Sequence, residues 1–364
     1  MPDNGKTKYV ILMEDLKERI LSGQIQPGDR MPSENELAES NGISRHTVRK
    51  ALAILENEGY ITAEHGRGTF CSERSRSRGN SKNIAVITTY LSDYIFPRLI
   101  QGMDRVLTEQ GYSIILKNTS NSRKKEAQCL EDILTKDVDG LIIEPSKSQI
   151  FCRNMHLYEK LDACGIPYVF IQGSYPQMKN KPTILIDDRK GGYLLTHYLI
   201  ELGHRHIVGI FKADDSQGAE RHRGYVDALQ EAGIAYDPER VIWFHTEDRK
   251  IKPSVMIQMM LDQQMLIDAV VCYNDQIAEE VIQTLKENGK HVPEDISVTG
   301  YDNSYYAKSG GLTTIAHPQE KLGEMAAQLL LEQIQGISEQ DSQVKRLIEP
   351  ELIIRDSCSR RSLY

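Results

Sequence analysis

The stretch SRHTVRK, residues 44–50, places Arg45, His46, Arg49 and Lys50 within six positions of a 364-residue chain whose formal net charge is −8. Arg45 and Arg49 are four apart, so on a helix they share a face, with His46 and Thr47 beside them. An arginine so placed can donate both arms of its fork to O6 and N7 of one guanine, discriminating that base by about 1–3 kcal/mol. Ser44, Thr47 and Lys50 suit phosphate oxygens or thymine methyls, and phosphate contacts set register rather than sequence. Another cation stands in His65-Gly66-Arg67-Gly68, where two glycines permit close approach to a groove. The bland alternative is a solvated amphipathic helix, and an R-x-x-x-R pair by itself favours it. A helix cap, a breaker, an apolar stripe and the glycine-flanked Arg67 together turn the balance toward a DNA-reading head.

A different chemistry recurs farther along. Polar residues follow a series of apolar runs: Thr89, Tyr90 and Asp93 after NIAVITT, Glu144 after GLII, Gln172 after YVFI, Asn274-Asp275 after VVCY, and Asp302-Asn303 after SVTGY. Arg221 lies in QGAERHRGY at the start of a helix. Carboxylates, amides and one arginine converging on a cleft suit a polyhydroxylated ligand, because a carboxylate accepts from two hydroxyls and arginine donates to two oxygens. Tyr94 and Phe96, in SDYIFP, could pack on the apolar face of a sugar ring. Each of these residues alone reads as a helix cap or a solvated loop; their recurrence at strand ends is what points to a site.

The elements that must position these groups are legible. In KYVILMEDLKERILSG, Val10, Met13, Leu16 and Ile20 fall on one helical face. Ser33 caps a second helix, with Glu36 at the capping-box position, and NGI breaks it. Ser44 caps a third, with Val48, Leu52 and Leu55 as its stripe, and β-prone residues flank HGRG as in a hairpin. Two short helices joined by a turn and followed by a hairpin make a winged helix-turn-helix, whose second helix enters the major groove. Beyond residue 83, apolar β-branched runs alternate with helix-period segments, which predicts parallel sheets covered on both faces. Similar helix ends, LTEQGYS and LQEAGIA, suggest two like α/β lobes, and the DD of ILIDDRKGG marks a crossover near residue 184. The expected class is therefore α/β with a small α+β head: residues 1–70 a winged helix-turn-helix, 71–83 a linker, and 84–364 a two-lobed unit with parallel sheets.

Charge sharpens this division. Residues 1–70 carry nine Lys/Arg against eleven Asp/Glu, the Ser/Arg/Gly-rich stretch 71–83 carries four against one, and the remainder carries 31 against 40. No bulk basic surface exists for indiscriminate nucleic-acid binding, so DNA must be met by a local patch. No run of about 18 apolar residues predicts a spanning helix, and MPDNGKTKYV has no apolar core of a secretory signal. Six dispersed cysteines without C-x-x-C spacing point to reduced thiols in a cytoplasmic protein and to no metal site.

Residues 7–70, with PGDRMPSENELAE, GISRHTVRKAL, LENEGYI and GRGTF, resemble the DNA-binding domain of GntR-type bacterial regulators. That resemblance implies that Arg45, Thr47 and Arg49 read bases or phosphates, that Glu34 sits at the mouth of the groove, that Lys8 contacts a phosphate, and that His65–Arg67 form the wing tip. Residues 83–355, with DGLIIEPS, DDRKGGYLLTHYLIELGHRHI, ERHRGYVDAL, CYNDQIAEEVI, VPEDISVTGYDNS and LTTIAHP, resemble the LacI/GalR-type effector domain and the periplasmic sugar-binding proteins. By that resemblance Asp93, Phe96, Glu144, Gln172, Arg221, Asn274, Asp302 and His317 stand at ligand contacts. The family usually reads N-P-F-F where this chain has Asp93-Tyr94-Ile95-Phe96. The pairing of these two units resembles the arabinose repressors of Gram-positive bacteria, which implies double-stranded operator DNA as partner, L-arabinose as effector in place of a cofactor, and a homodimer.

The function expected is a repressor released from its operator by a sugar. Three alternatives stay open: a regulator answering to another pentose or a sugar phosphate, an activator, and an enzyme acting on a sugar. Arg221 against Asp93, Glu144 and Asp302 disfavours an anionic ligand. For catalysis the tandem acids Asp187-Asp188 and Asp214-Asp215 are the candidates, but neighbours in sequence point in different directions, whereas a retaining glycosidase needs two carboxyl groups about 5–5.5 Å apart across one cleft.

Overall fold

Three helices and a hairpin build the head. In the computed structural model, which describes residues 7–64, 67–72, 81–90, 96–337 and 345–361, these are α1 (Lys8–Leu21), α2 (Glu34–Asn41), α3 (Arg45–Asn57), β1 (Ile61–Glu64) and β2 (Gly68–Cys71). The Ser33 capping box forms as expected: Ser33 Oγ accepts from Glu36 N at 3.3 Å and Glu36 Oε2 from Ser33 N at 2.7 Å. Gly42 ends α2 at φ 60°, a left-handed turn that glycine adopts at no steric cost. Ser44 then caps α3, whose Val48, Ala51, Leu52 and Leu55 are buried. The face of α1 differs from expectation. Leu12, Leu16 and Ile20 are buried, while Val10 and Met13 are only partly so. Four apolar residues in succession, Val10–Met13, leave the periodicity unable to choose a face there, and packing against α3 decides it.

The larger unit holds two parallel sheets. The first has six strands: β3 (Asn83–Thr88), β4 (Ser113–Asn118), β5 (Gly140–Ile143), β6 (Tyr168–Ile171), β7 (Thr183–Ile186) and β13 (Lys345–Ile348), in the order β13-β7-β6-β5-β3-β4. Helices α4 (Phe96–Glu109) and α12 (Gln319–Ile334) cover one face through Leu99, Met103, Leu322 and Leu330. Helices α5 (Arg123–Leu134) and α6 (Met155–Ala163) cover the other through Leu130, Ile133 and Tyr158.

The second sheet has four strands: β8 (Ile207–Lys212), β9 (Val241–Phe244), β10 (Ala269–Cys272) and β11 (Ser297–Thr299), in the order β11-β10-β8-β9. Its faces are covered by α7 (Asp188–Glu201) and α8 (Ser216–Glu231), and by α9 (Lys252–Asp262) and α10 (Asp275–Glu287). A short helix, α11 (Tyr305–Ser309), and an antiparallel pair, β12 (Thr314–Ala316) with β14 (Glu351–Ile353), complete this lobe.

The chain passes between lobes three times: from β7 to α7 at Asp187, from β12 to α12, and from β13 to β14. The first is the crossover expected near residue 184. Strands β9, β12, β13 and β14 are only three or four residues long, too short for an apolar run to stand out in the sequence.

Candidate functional site

At the head, Arg45, His46, Arg49 and Lys50 are exposed along the first turns of α3. Glu34, the first residue of α2, grips Arg49 as a fork: Arg49 Nε donates to Oε1 at 3.0 Å and Nη2 to Oε2 at 2.8 Å. The hydrogen bond from Arg49 holds the Glu34 carboxyl below its ordinary range. Lys50 lays its ammonium 4.0 Å from the Tyr9 ring centroid, a cation–π contact that fixes its stem. Ser44 Oγ accepts from Thr47 N and lies 2.8 Å from Thr47 Oγ1, so both hydroxyls hold the cap. Lys8 opens α1 and is exposed. In the hairpin, Glu64 pairs with Gly68, and Arg67 Nη1 donates to Glu64 Oε2 at 2.7 Å. His65 and Gly66 lie outside the described residues.

Between the lobes lies a cleft of about 740 Å³, part of it open to solvent. Its walls come from the C-terminal ends of strands of both sheets, the place where open parallel sheets hold ligands. Phe96, Glu144, Gln172, Arg221, Asn274 and Asp302 all line it. Asp93 and Tyr94 lie outside the described residues. His317 stands at the β12-to-α12 crossing but not among the lining residues; it is buried, neither ring nitrogen has a hydrogen-bond partner among the described residues, and burial together with Arg221 pulls its pKa down to about 3, so it is a neutral ring.

Each lining group is held by structure. Glu144 Oε2 accepts from Thr89 N at 2.8 Å and Thr88 Oγ1 at 3.0 Å. Burial raises its carboxyl pKa against those bonds. Arg221 donates through Nε to Asp188 Oδ1 at 2.8 Å and through Nη1 to the Tyr273 carbonyl at 2.5 Å, and its guanidinium lies 3.5 Å from the Tyr301 ring centroid. Burial pushes Asp188 up, to about 6, with Arg221 pulling the other way. The glycine in ERHRGY has a structural reason: a Cβ on Gly224 would run into the Arg189 carbonyl, and one on Gly192 into the Arg221 carbonyl. Only that close approach of α8 to α7 brings Arg221 to Asp188. Asn274 caps α10 through its side-chain oxygen, which accepts from Ile277 N at 3.1 Å. Its neighbour Asp275 is fully buried, accepting from Ser304 N and Thr314 Oγ1 at 2.7 Å each.

The tandem acids are each held by protein partners. Asp187 caps α7, Asp188 pairs with Arg221, Asp215 caps α8 and accepts from Tyr273 Oη at 2.7 Å, and Asp214 accepts from Thr246 N at 3.2 Å. Beside the cleft a polar seam ties the lobes. Asn121 Nδ2 donates to Thr246 Oγ1 at 2.6 Å, Lys147 Nζ reaches Glu247 at 2.5 Å and Asp214 at 3.5 Å, and Ser216 N donates to Ser148 Oγ at 2.9 Å. Asn121, Lys147, Gln172 and Asp302 all have positive φ; backbone strain of this kind gathers at ligand clamps and switch regions.

Among the described residues no helix is long and apolar enough to cross a membrane, and no cluster of His, Cys, Asp and Glu could hold a metal. Residues 8–71 match the bacterial regulatory proteins of the gntR family, and residues 196–358 match the periplasmic binding protein-like domain. The arabinose metabolism transcriptional repressor of Halalkalibacterium halodurans is 41% identical, over 97% of this chain and 96% of its own length. That of Geobacillus stearothermophilus is 38% identical, over 98% of this chain and 99% of its own. This chain belongs to that family of repressors. A solved structure of a LacI family transcriptional regulator from Enterococcus faecium with bound ribose superposes with a TM-score of 0.64 at 27% identity, covering 77% of this chain and all of the other.

The cleft holds more charge than the polar residues after the apolar runs supply. Lys212, Asp215 and Arg249 line it too, with Tyr90, Phe244 and Tyr273. Tyr273 closes VVCY, so looking one residue past that run overlooks it; Lys212 does stand one residue past HIVGIF, but a cation there reads as a solvated strand end. Phe244 ends β9, a four-residue strand too short to stand out in the sequence.

Proposed function

We propose that this chain represses sugar-utilisation genes by binding a double-stranded operator, and that L-arabinose entering the cleft releases it. The observation that carries this reading is the convergence of Glu144, Gln172, Arg221, Asn274 and Asp302, with the Phe96 ring, on one interlobe cleft of a chain that also exposes Arg45 and Arg49 on α3. Hydroxyl groups donate to Glu144 and Asp302 and accept from Arg221 and the Asn274 amide. Arg221 faces Asp188, and the Lys212 charge is matched by Asp215, which favours a neutral ligand over a phosphate. On this reading residues 1–70 bind DNA, 71–83 link, and 84–364 bind the sugar and dimerise, and the protein acts by binding alone.

Titration of the full-length protein onto an operator duplex selected from a random library tests the coupling. L-Arabinose is expected to weaken operator binding about 100-fold, a coupling of roughly 2.7 kcal/mol. No change with any pentose would remove the sugar from the mechanism. Tighter operator binding would make the protein an activator or a co-repressed regulator.

The dimer is expected to form through α9. Ile251, capping α9, and Val255 and Met259 on it stand exposed at four-residue spacing, the arrangement of an isologous two-fold contact. Two heads then meet half-sites about 34–36 Å apart. Val255→Glu is expected to shift the sedimenting species from dimer to monomer. An unchanged dimer would place the interface elsewhere.

A further inference from the structure

Lys212 is the last residue of β8, on the sheet whose strand ends supply half of the cleft. It is only 7% exposed, yet it borders both the main cleft and a smaller adjoining cavity of about 250 Å³ walled by Asn121, Glu144, Ser148 and Gln172. Its ammonium therefore sits where the two lobes and the site meet. A buried ammonium is costly unless its donors find acceptors, and it has three to place. Asp215 Oδ2 takes one at 3.0 Å. Asp214 Oδ1, at 3.8 Å, is beyond hydrogen-bond length and supplies charge only. The other near neighbours are ring faces, with the Tyr90 and Tyr273 centroids 5.9 and 6.0 Å away.

Asp215 is not itself free for a ligand. Its Oδ1 accepts from Gly218 N at 2.8 Å, and its Oδ2 accepts from Tyr273 Oη as well as from Lys212. It anchors the lysine rather than meeting a sugar.

We propose that Lys212 is an effector contact that donates a hydrogen bond to one particular oxygen of the bound sugar and so selects among stereoisomers. The proposal rests on the cleft being a sugar site. With one N–H held by Asp215 and a ring on either side, the two remaining N–H groups have the cleft to donate into, which suits an oxygen held there in one configuration. Glu144 and Asp302 recognise hydroxyl protons; Lys212 recognises a lone pair.

The experiment is calorimetric titration of full-length protein and its Lys212→Met variant with L-arabinose and its monodeoxy analogues. The wild type is expected to bind L-arabinose and to bind one deoxy analogue about 10- to 100-fold more weakly, the range for a hydrogen bond to a charged group. Lys212→Met is expected to lose a similar factor on L-arabinose and to show no further loss on that analogue. If removing Lys212 destabilises the fold by leaving Asp214 and Asp215 unmatched, Lys212→Met with Asp214→Asn restores the balance, and the same pattern is expected of the pair. Equal L-arabinose affinity in wild type and folded variant, or deoxy penalties that persist undiminished in the variant, would overturn the proposal while leaving the sugar site standing. A wild type that binds no pentose would overturn the sugar site and this contact with it.

Discussion

Glu144→Gln is expected to weaken L-arabinose binding by about 10- to 100-fold, the worth of a charge-assisted hydrogen bond, while the fold and the affinity for operator without sugar stay near wild type. Both hydrogen bonds that position Glu144 go to one oxygen, Oε2, from Thr89 N and Thr88 Oγ1. A glutamine must turn its carbonyl oxygen to those donors, because an NH₂ group facing a backbone N–H leaves both unmatched. The amide nitrogen then occupies the position of Oε1 and presents a donor where the carboxylate offered an acceptor. A sugar hydroxyl that donated there now meets another donor. The substitution removes a charge that burial already disfavours, so stability is not expected to fall.

The pH dependence follows with its sign. Burial raises the Glu144 pKa, with Lys212 among the groups opposing it. The ionised form is the better acceptor, so sugar affinity is expected to fall as pH drops, and to begin falling above the ordinary glutamate range. The glutamine variant is expected to lack that step. Isothermal titration across pH checks both, and equal affinity for wild type and variant at neutral pH would exclude Glu144 as a sugar contact.

The head was legible because its signals are local. Ser33 with Glu36 three residues on, Ser44 before Val48, Leu52 and Leu55, and Gly42 between them each act within one turn of backbone. In the larger unit the alternation of apolar runs and helical segments carried the layers, and the polar residue one step past a run found Glu144, Gln172, Asn274 and Asp302. The residues that failed this rule failed for physical reasons. Lys212 also stands one step past an apolar run, HIVGIF, but nothing local marks a cation there as buried; its charge is tolerated because Asp214 and Asp215 fold back beside it after the next turn. Arg221 was visible as part of a motif, but its partner Asp188 is 33 residues away and reaches it only through the glycine-lined contact of α7 and α8. The seam of Asn121, Lys147, Ser148, Asp214, Ser216 and Thr246 joins four loops that share no pattern in the sequence. Such pairings exist only after the lobes close on one another.

Arg49→Ala is expected to lower affinity for the selected operator by about 10- to 100-fold at the base it reads, to relax sequence preference at that base pair, and to leave sugar affinity unchanged. The loss follows from how the arginine is held. Glu34 takes the edge formed by Nε and Nη2, which fixes the guanidinium plane and leaves its outer N–H groups directed away from the protein. A fork already oriented loses little further freedom on meeting O6 and N7 of a guanine. Arg49→Lys keeps the charge and loses the fork, so it is expected to keep the salt dependence of wild type and to lose the base preference. Glu34→Gln is expected to do the reverse in part: with a carboxylate removed from beside the groove, non-specific DNA binding rises, while the discrimination that depends on a fixed guanidinium falls. Because the nine Lys/Arg of residues 1–70 are outnumbered by eleven Asp/Glu, few phosphates are expected to be neutralised, and the slope of log affinity against log salt should be shallow, about −0.9 for each. Fluorescence titration of each variant on the selected site and on single-base variants, at two salt concentrations, separates these effects. An Arg49→Ala protein that selects the same sequence from a random library as the wild type would move base reading to Arg45 or to the wing.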